Sequence, residues 1–76
     1  MKIGDIKEND LIIDSRSDTI ILITQIKRVQ QQQLSGHYSW WYSIHGIEDD
    51  QLPVTFTGYG WTRVDILRLL SRQKNV

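Results

Sequence analysis

Seventy-six residues, with Lys+Arg and Asp+Glu balanced at nine each and no cysteine, make one small domain of zero formal net charge. The missing cysteines exclude a disulfide framework and a thiolate metal site, and the charge balance argues against a protein whose main work is gripping nucleic-acid backbone. A chain this short buries only about 60% of its unfolded surface, so its core must be supplemented by aromatic packing or self-association; three Trp, three Tyr and one Phe suit the first route.

In chain order, the start Met1-Lys2-Ile3-Gly4-Asp5 lacks the apolar run of a signal peptide, and the longest uninterrupted apolar run, Ile20 to Ile23, is far too short to span a membrane. A cytoplasmic protein with its own start and no membrane partner is expected. Ile3 and Ile6 read as two points where a lead-in touches the core. Asn9-Asp10 is a turn signal, Leu11-Ile12-Ile13 a short strand, and Asp14 to Asp18 a polar loop.

Thr19 to Val29 is the strongest strand, because its apolar residues are nearly all β-branched. Alternation places Ile20, Leu22, Thr24 and Ile26 on one face and Ile21, Ile23, Gln25 and Lys27 on the other, so the early part is expected to be covered on both sides. Gln30 to Gln33, followed by Leu34-Ser35-Gly36, reads as an extended hairpin arm or a mobile loop.

Tyr38 to Ile47 alternates clearly: Tyr38, Trp40, Tyr42 and Ile44 are expected on the core face, and Ser39, Trp41, Ser43 and His45 opposite. Glu48 to Gln51 is a turn. Leu52 to Thr57 alternates again, with Leu52, Val54 and Phe56 inward and Pro53 marking an edge strand or a strand that starts just after it. Gly58 and Gly60 permit positive φ where the chain turns. The end has two readings. Thr62 and Asp65 resemble a capping box, with Val64, Leu67 and Leu70 at helical spacing; alternatively Val64-Asp65-Ile66 is one 3₁₀ turn before a closing strand, Leu67 to Ser71. Closure of a small barrel favours the second.

Ile3-Gly4-Asp5-Ile6 before the first strand and Trp61-Thr62-Arg63-Val64-Asp65-Ile66-Leu67 at the end resemble the lead-in and closing stretches of SH3-like barrels, a fold common among small phage and prophage proteins. The resemblance implies a mainly β, five-stranded SH3-like barrel with a short 3₁₀ or helical turn near the C-terminus, spanning residues 1–76. It implies little about function. The acidic loop and paired aromatics of proline-peptide-binding SH3 domains are absent, so that binding mode does not carry over.

Catalysis finds no footing. His37 and His45 lie apart, one in a loop and one on a strand's outer face, and no serine stands in a nucleophile-elbow context. Glu48-Asp49-Asp50 and Asp14 with Asp18 lack the spacing of a calcium loop. Gly58-Tyr59-Gly60 has neither the third glycine nor the lysine of a phosphate cradle. No catalytic, cofactor or metal residues are expected.

Binding is what remains. Parity turns Trp41 outward beside Ser39, Ser43 and His45, where it is either an interface anchor or covered by a bulge, the Gln-rich arm or the C-terminal segment. Tyr59 and Trp61 flank Gly60, where their rings either face a ligand or cap the barrel mouth. Acidic residues gather in 1–18 and basic ones in 61–76, where Arg63, Arg68, Arg72 and Lys74 face Asp65 alone. The candidate partner-binding residues are therefore Trp41, His45, Tyr59, Trp61, Lys27, Arg28 and Arg63. They point first to a non-catalytic protein-interaction module, such as a small phage-type accessory or inhibitor, with a protein partner. A single-stranded nucleic-acid-binding barrel is the second expectation, and a self-assembling structural subunit, a homo-oligomer, the third.

Overall fold

A computed structural model describes residues 1–72. Five antiparallel strands form one sheet: β1 (Leu11–Asp14), β2 (Thr19–Gln32), β3 (Tyr38–Glu48), β4 (Pro53–Tyr59) and β5 (Leu67–Ser71), in the spatial order β4-β3-β2-β1-β5. The mainly β reading and the edge position inferred from Pro53 both hold. The closing strand is Leu67 to Ser71 as expected, but it pairs with β1 only, so the sheet stays open and the closed barrel is not formed.

The N-terminal lead-in occupies the gap. Ile3 N–H donates to the Thr62 carbonyl at 2.9 Å, Gly4 N–H to the Gly60 carbonyl at 3.0 Å, and Val64 N–H to the Met1 carbonyl at 2.8 Å. Residues 1–4 thus run along the segment between β4 and β5 and satisfy backbone groups that a closing strand pair would otherwise use. A 3₁₀ turn over Ile3–Asp5 follows immediately. The short 3₁₀ turn expected near the C-terminus is therefore near the N-terminus among the described residues; Val64 to Leu67 makes a simple turn instead, with Leu67 N–H donating to the Val64 carbonyl at 3.0 Å.

The lead-in also supplies the core's lid. Ile3 and Ile6 are buried with Ile12, Ile21, Ile23, Ile44 and Leu67, and Ile26, Tyr42, Val54 and Phe56 pack around them. The two contact points read from the sequence are thus core residues. Gly46 and Gly58 are needed for close approach: a Cβ on Gly46 would stand 2.7 Å from Ile21 Cγ2 and 2.9 Å from the Leu22 carbonyl, and one on Gly58 2.7 Å from Ile3 Cδ1. Positive φ belongs to Gly36, Asn9, Asp18 and Gln51, not to Gly58 or Gly60 as anticipated.

An ion pair between the buried Asp10 and the half-exposed Arg72 ties the last described residue to the first turn. Arg72 donates through Nε to Asp10 Oδ1 at 2.9 Å and through Nη2 to Asp10 Oδ2 at 3.0 Å and the Asp5 carbonyl at 2.9 Å. Lys7 N–H also donates to Asp10 Oδ2, at 2.8 Å. Burial pushes the Asp10 carboxyl up, but the Arg72 guanidinium and the Lys7 amide outweigh it and hold the group below its ordinary range.

Three expectations about faces fail, each for its own reason. The β2–β3 register shifts between Ile23 and Gln25, where Thr24 is an extra residue. The alternation of β2 changes phase there, so Ile26 joins Ile21 and Ile23 on the inner face, opposite Ile44. Beyond Ile26 the hairpin runs on to Gln32 opposite Tyr38, clear of β1 and past the end of β4. The glutamine tract is therefore the end of a strand in a projecting arm. Trp40 lies on this arm, with the parity of Tyr42 and Ile44 but beyond the core: it is 42% exposed instead of buried, with the Arg28 guanidinium 4.5 Å from its ring centroid. Leu52 precedes its strand and is exposed, whereas Val54 and Phe56 pack against the core.

Candidate functional site

Cα pairing fixes what shares the outer face. Across β2, β3 and β4, Val29, Trp41 and Tyr59 form one row, Lys27, Ser43 and Thr57 the next, and Gln25, His45 and Thr55 the third. Leu22, Ile47 and Pro53 continue it, and β1 adds Leu11 beside Leu22 and Ile13 beside Ile20. The outer face thus has an aromatic end and an aliphatic end, with polar rows between.

At the aromatic end Trp41 meets Tyr59 edge to face, centroids 4.9 Å apart at 82°, and Tyr59 stacks on Trp61 at 4.6 Å and 6°. Such pairs contribute about 0.5–1.5 kcal/mol each beyond the area they bury. The cross-strand pairing of Trp41 with Tyr59 sets the first contact; the turn at Gly60, where Thr62 N–H donates to the Tyr59 carbonyl at 3.0 Å and Tyr59 N–H to Thr62 Oγ1 at 2.9 Å, folds Trp61 back over the ring before it. Trp41 is outward, as parity demands, but half-buried beneath its neighbours, and Trp61 is the exposed member at 56%. The cover comes from neither the arm nor a bulge.

The other expected site residues divide. Lys27 sits on the outer face diagonally from Trp41, within reach of its ring. His45 is on the same face, with Nδ1 3.3 Å from Thr55 Oγ1. Arg28 is on the opposite face, over Trp40. Arg63 bridges to Lys2 in the N-terminal pairing, and its guanidinium lies 3.3 Å from Asp65 Oδ1. The structure therefore assembles Trp41, Tyr59, Trp61, Lys27 and His45 on one surface and sends Arg28 and Arg63 elsewhere. Of the basic C-terminal group, Lys74 lies outside the described residues.

The sequence reading missed the aliphatic end. Ile20 and Leu22 were expected to be covered on their outer side, yet Leu22 is 42% exposed and Ile47 38%. Leu11, Ile20, Leu22 and Ile47 form the floor of a shallow groove walled by Glu48 and Asp49. The signal was present: apolar residues at consecutive positions of β2 must put some on each side of the sheet. Partial removal from water raises the Glu48 carboxyl above its ordinary range, and its neighbours Asp50, Asp49 and Asp14 add to the effect.

Among the described residues, no group of three or more His, Asp or Glu side chains is placed to hold a metal ion, and no helix is long and apolar enough to cross a membrane. Compared with protein-family models, curated proteins and solved structures, the chain matches none.

Proposed function

We propose that the chain is a non-catalytic protein-interaction module that docks through the aromatic end of its outer face. The observation that supports this most is the ladder Trp41–Tyr59–Trp61, joined by two ring contacts while more than half of Trp61 stays in water. Rigid, partly desolvated aromatics lose little entropy on docking, and Trp and Tyr are the residues most enriched at binding hot spots. Lys27 and His45 supply a polar border on the same face. The strand order with a turn before β5 supports an SH3-like reading in which the barrel stays open between β4 and β5.

The role divides between Trp41 as foundation and Trp61 as contact. A photo-crosslinking residue at Trp61 should capture a discrete protein from the native cell, and Trp41→Ala, which removes the support beneath Tyr59, should abolish that capture while circular dichroism shows the fold retained. Retention of the same adduct in the Trp41→Ala protein refutes the mechanism.

The stack also supports single-stranded nucleic acid as a second reading, since the parallel rings of Tyr59 and Trp61 leave the exposed Trp61 to receive a base and Lys27 lies on the same face. Retardation of an oligonucleotide that weakens steeply with salt and disappears in Trp61→Ala would favour it over the protein partner.

A further inference from the structure

We propose that the aliphatic end of the outer face pairs with the same face of a second copy of this chain, about a two-fold axis lying between the sheets and parallel to β1 and β2.

An antiparallel sheet that faces water on one side ordinarily carries polar residues there. Here Leu11, Ile13, Ile20, Leu22 and Ile47 are contiguous on that side by register, and none belongs to the aromatic ladder. What covers them is indicated by the charges at their two borders. Arg68 lies on β5, opposite Ile13 and on its face, with no carboxylate within ion-pair distance among the described residues. Asp49 lies at the far border, its N–H donating to the Ile20 carbonyl at 3.0 Å, and it is exposed. One row across the sheet therefore reads Arg68, Ile13, Ile20, Asp49: a cation and an anion on either side of two apolar residues. Rotation about an axis between β1 and β2 exchanges the two ends. Ile13 then meets Ile20 of the second copy, Leu11 meets Leu22 of the second copy, and each Arg68 faces the other copy's Asp49. The surface is complementary to itself, the condition an isologous dimer must satisfy. A basic peptide would satisfy the acidic border but would leave Arg68 facing its own charge.

At about 4.8 Å between strands the row from Arg68 to Asp49 is about 14 Å long, so the contact is small and the association is weak and concentration-dependent. The aromatic ladder lies beyond the polar rows and stays free, so this inference does not depend on the function proposed above.

Sedimentation equilibrium from about 1 µM to about 1 mM decides it. The wild-type chain should pass from monomer to dimer, and Leu22→Asp should remain monomeric throughout with an unchanged circular dichroism spectrum. Arg68→Glu and Asp49→Lys, each alone, should weaken association roughly tenfold or more by placing like charges together, and mixing the two variants should restore it as a heterodimer. A wild-type chain that stays monomeric overturns the proposal. So does a dimer that Leu22→Asp leaves intact, or two charge variants that gain nothing on mixing.

Discussion

The two faces of the sheet near β1 and β2 are made of the same material. Ile12, Ile21 and Ile23 point inward and are fully shielded; Leu11, Ile20 and Leu22, their immediate chain neighbours, point outward, and Leu22 keeps 42% of its surface in water. Residue type does not distinguish the faces. The difference is that Ile3 and Ile6 are laid over one of them by backbone pairing with Gly60, Thr62 and Val64. Burial in this chain depends on cover, and the cover comes from a lead-in that contains only one turn of regular structure, together with Ile44, Leu67, Val54 and Phe56 of the curled sheet. The outer face has only partial cover in the single chain: Leu11, Ile13 and Ile20 are half-buried, and Leu22 and Ile47 are exposed.

That contrast can be broken from either side. The largest effect is expected from Ile23→Ala, which opens a cavity beneath the lead-in and should cost about 3 kcal/mol in urea denaturation; Leu22→Ala, one position away, should cost less than about 1 kcal/mol when measured below the concentration at which chains associate. Equal costs would mean that the outer face is buried in the monomer as well. Gly46→Ala should cost about 2 kcal/mol, because the added methyl meets the Leu22 carbonyl, a backbone group that cannot rotate away.

Asp10→Ala should cost a comparable amount, about 2 kcal/mol, by removing the acceptor for Arg72 and Lys7. Its pH signature separates it from the core substitutions. The folded carboxyl titrates below its unfolded value of 3.8, so the unfolded chain takes up a proton first as the solution is acidified. The stabilisation is complete above that value and is lost as pH falls through the lower, folded one. Urea midpoints should therefore drop more steeply below about pH 4 in wild type than in Asp10→Asn. Parallel profiles would show that the ion pair adds nothing in solution. The smallest effect is expected from Arg28→Ala on the arm, about 0.5 kcal/mol, the scale of an exposed cation–π contact.

Much of the fold was legible because it rests on short-range regularities. β-branched runs placed β2, alternation placed β3 and β4, and Pro53 placed β4 at an edge. The inward pair Ile3 and Ile6 was readable as two isolated apolar residues in polar surroundings. What escaped depends on contacts distant in sequence. Nothing local marks Asp10 and Arg72 as partners, because the burial that makes the pair matter exists only once the chain is folded. The open sheet follows from the lead-in pairing with residues 60–64, a competition between two segments for one edge that no pattern within either segment decides. Within the candidate site, the outward Trp41 was readable from parity, but its cover was not: Tyr59 lies over it by register and Trp61 by a turn. Arg28 and Arg63 were grouped with the rings on composition, which carries no information about the side of the sheet.

The extra residue at Thr24 has a consequence for how this chain can vary in length. Because two residues of β2 there stand opposite one of β3, deleting Thr24 would leave Ile26, Lys27, Arg28 and Val29 on the sides they now occupy and would merely regularise the ladder. Deleting Ile26, Lys27 or Arg28 instead would exchange inside for outside in part of the hairpin. The bulge also adds local twist and bend to the strand that carries the arm. The arm is in effect a pointer whose bearing is set at its base by one residue, Thr24, whose Oγ1 also donates to the His45 carbonyl at 3.2 Å.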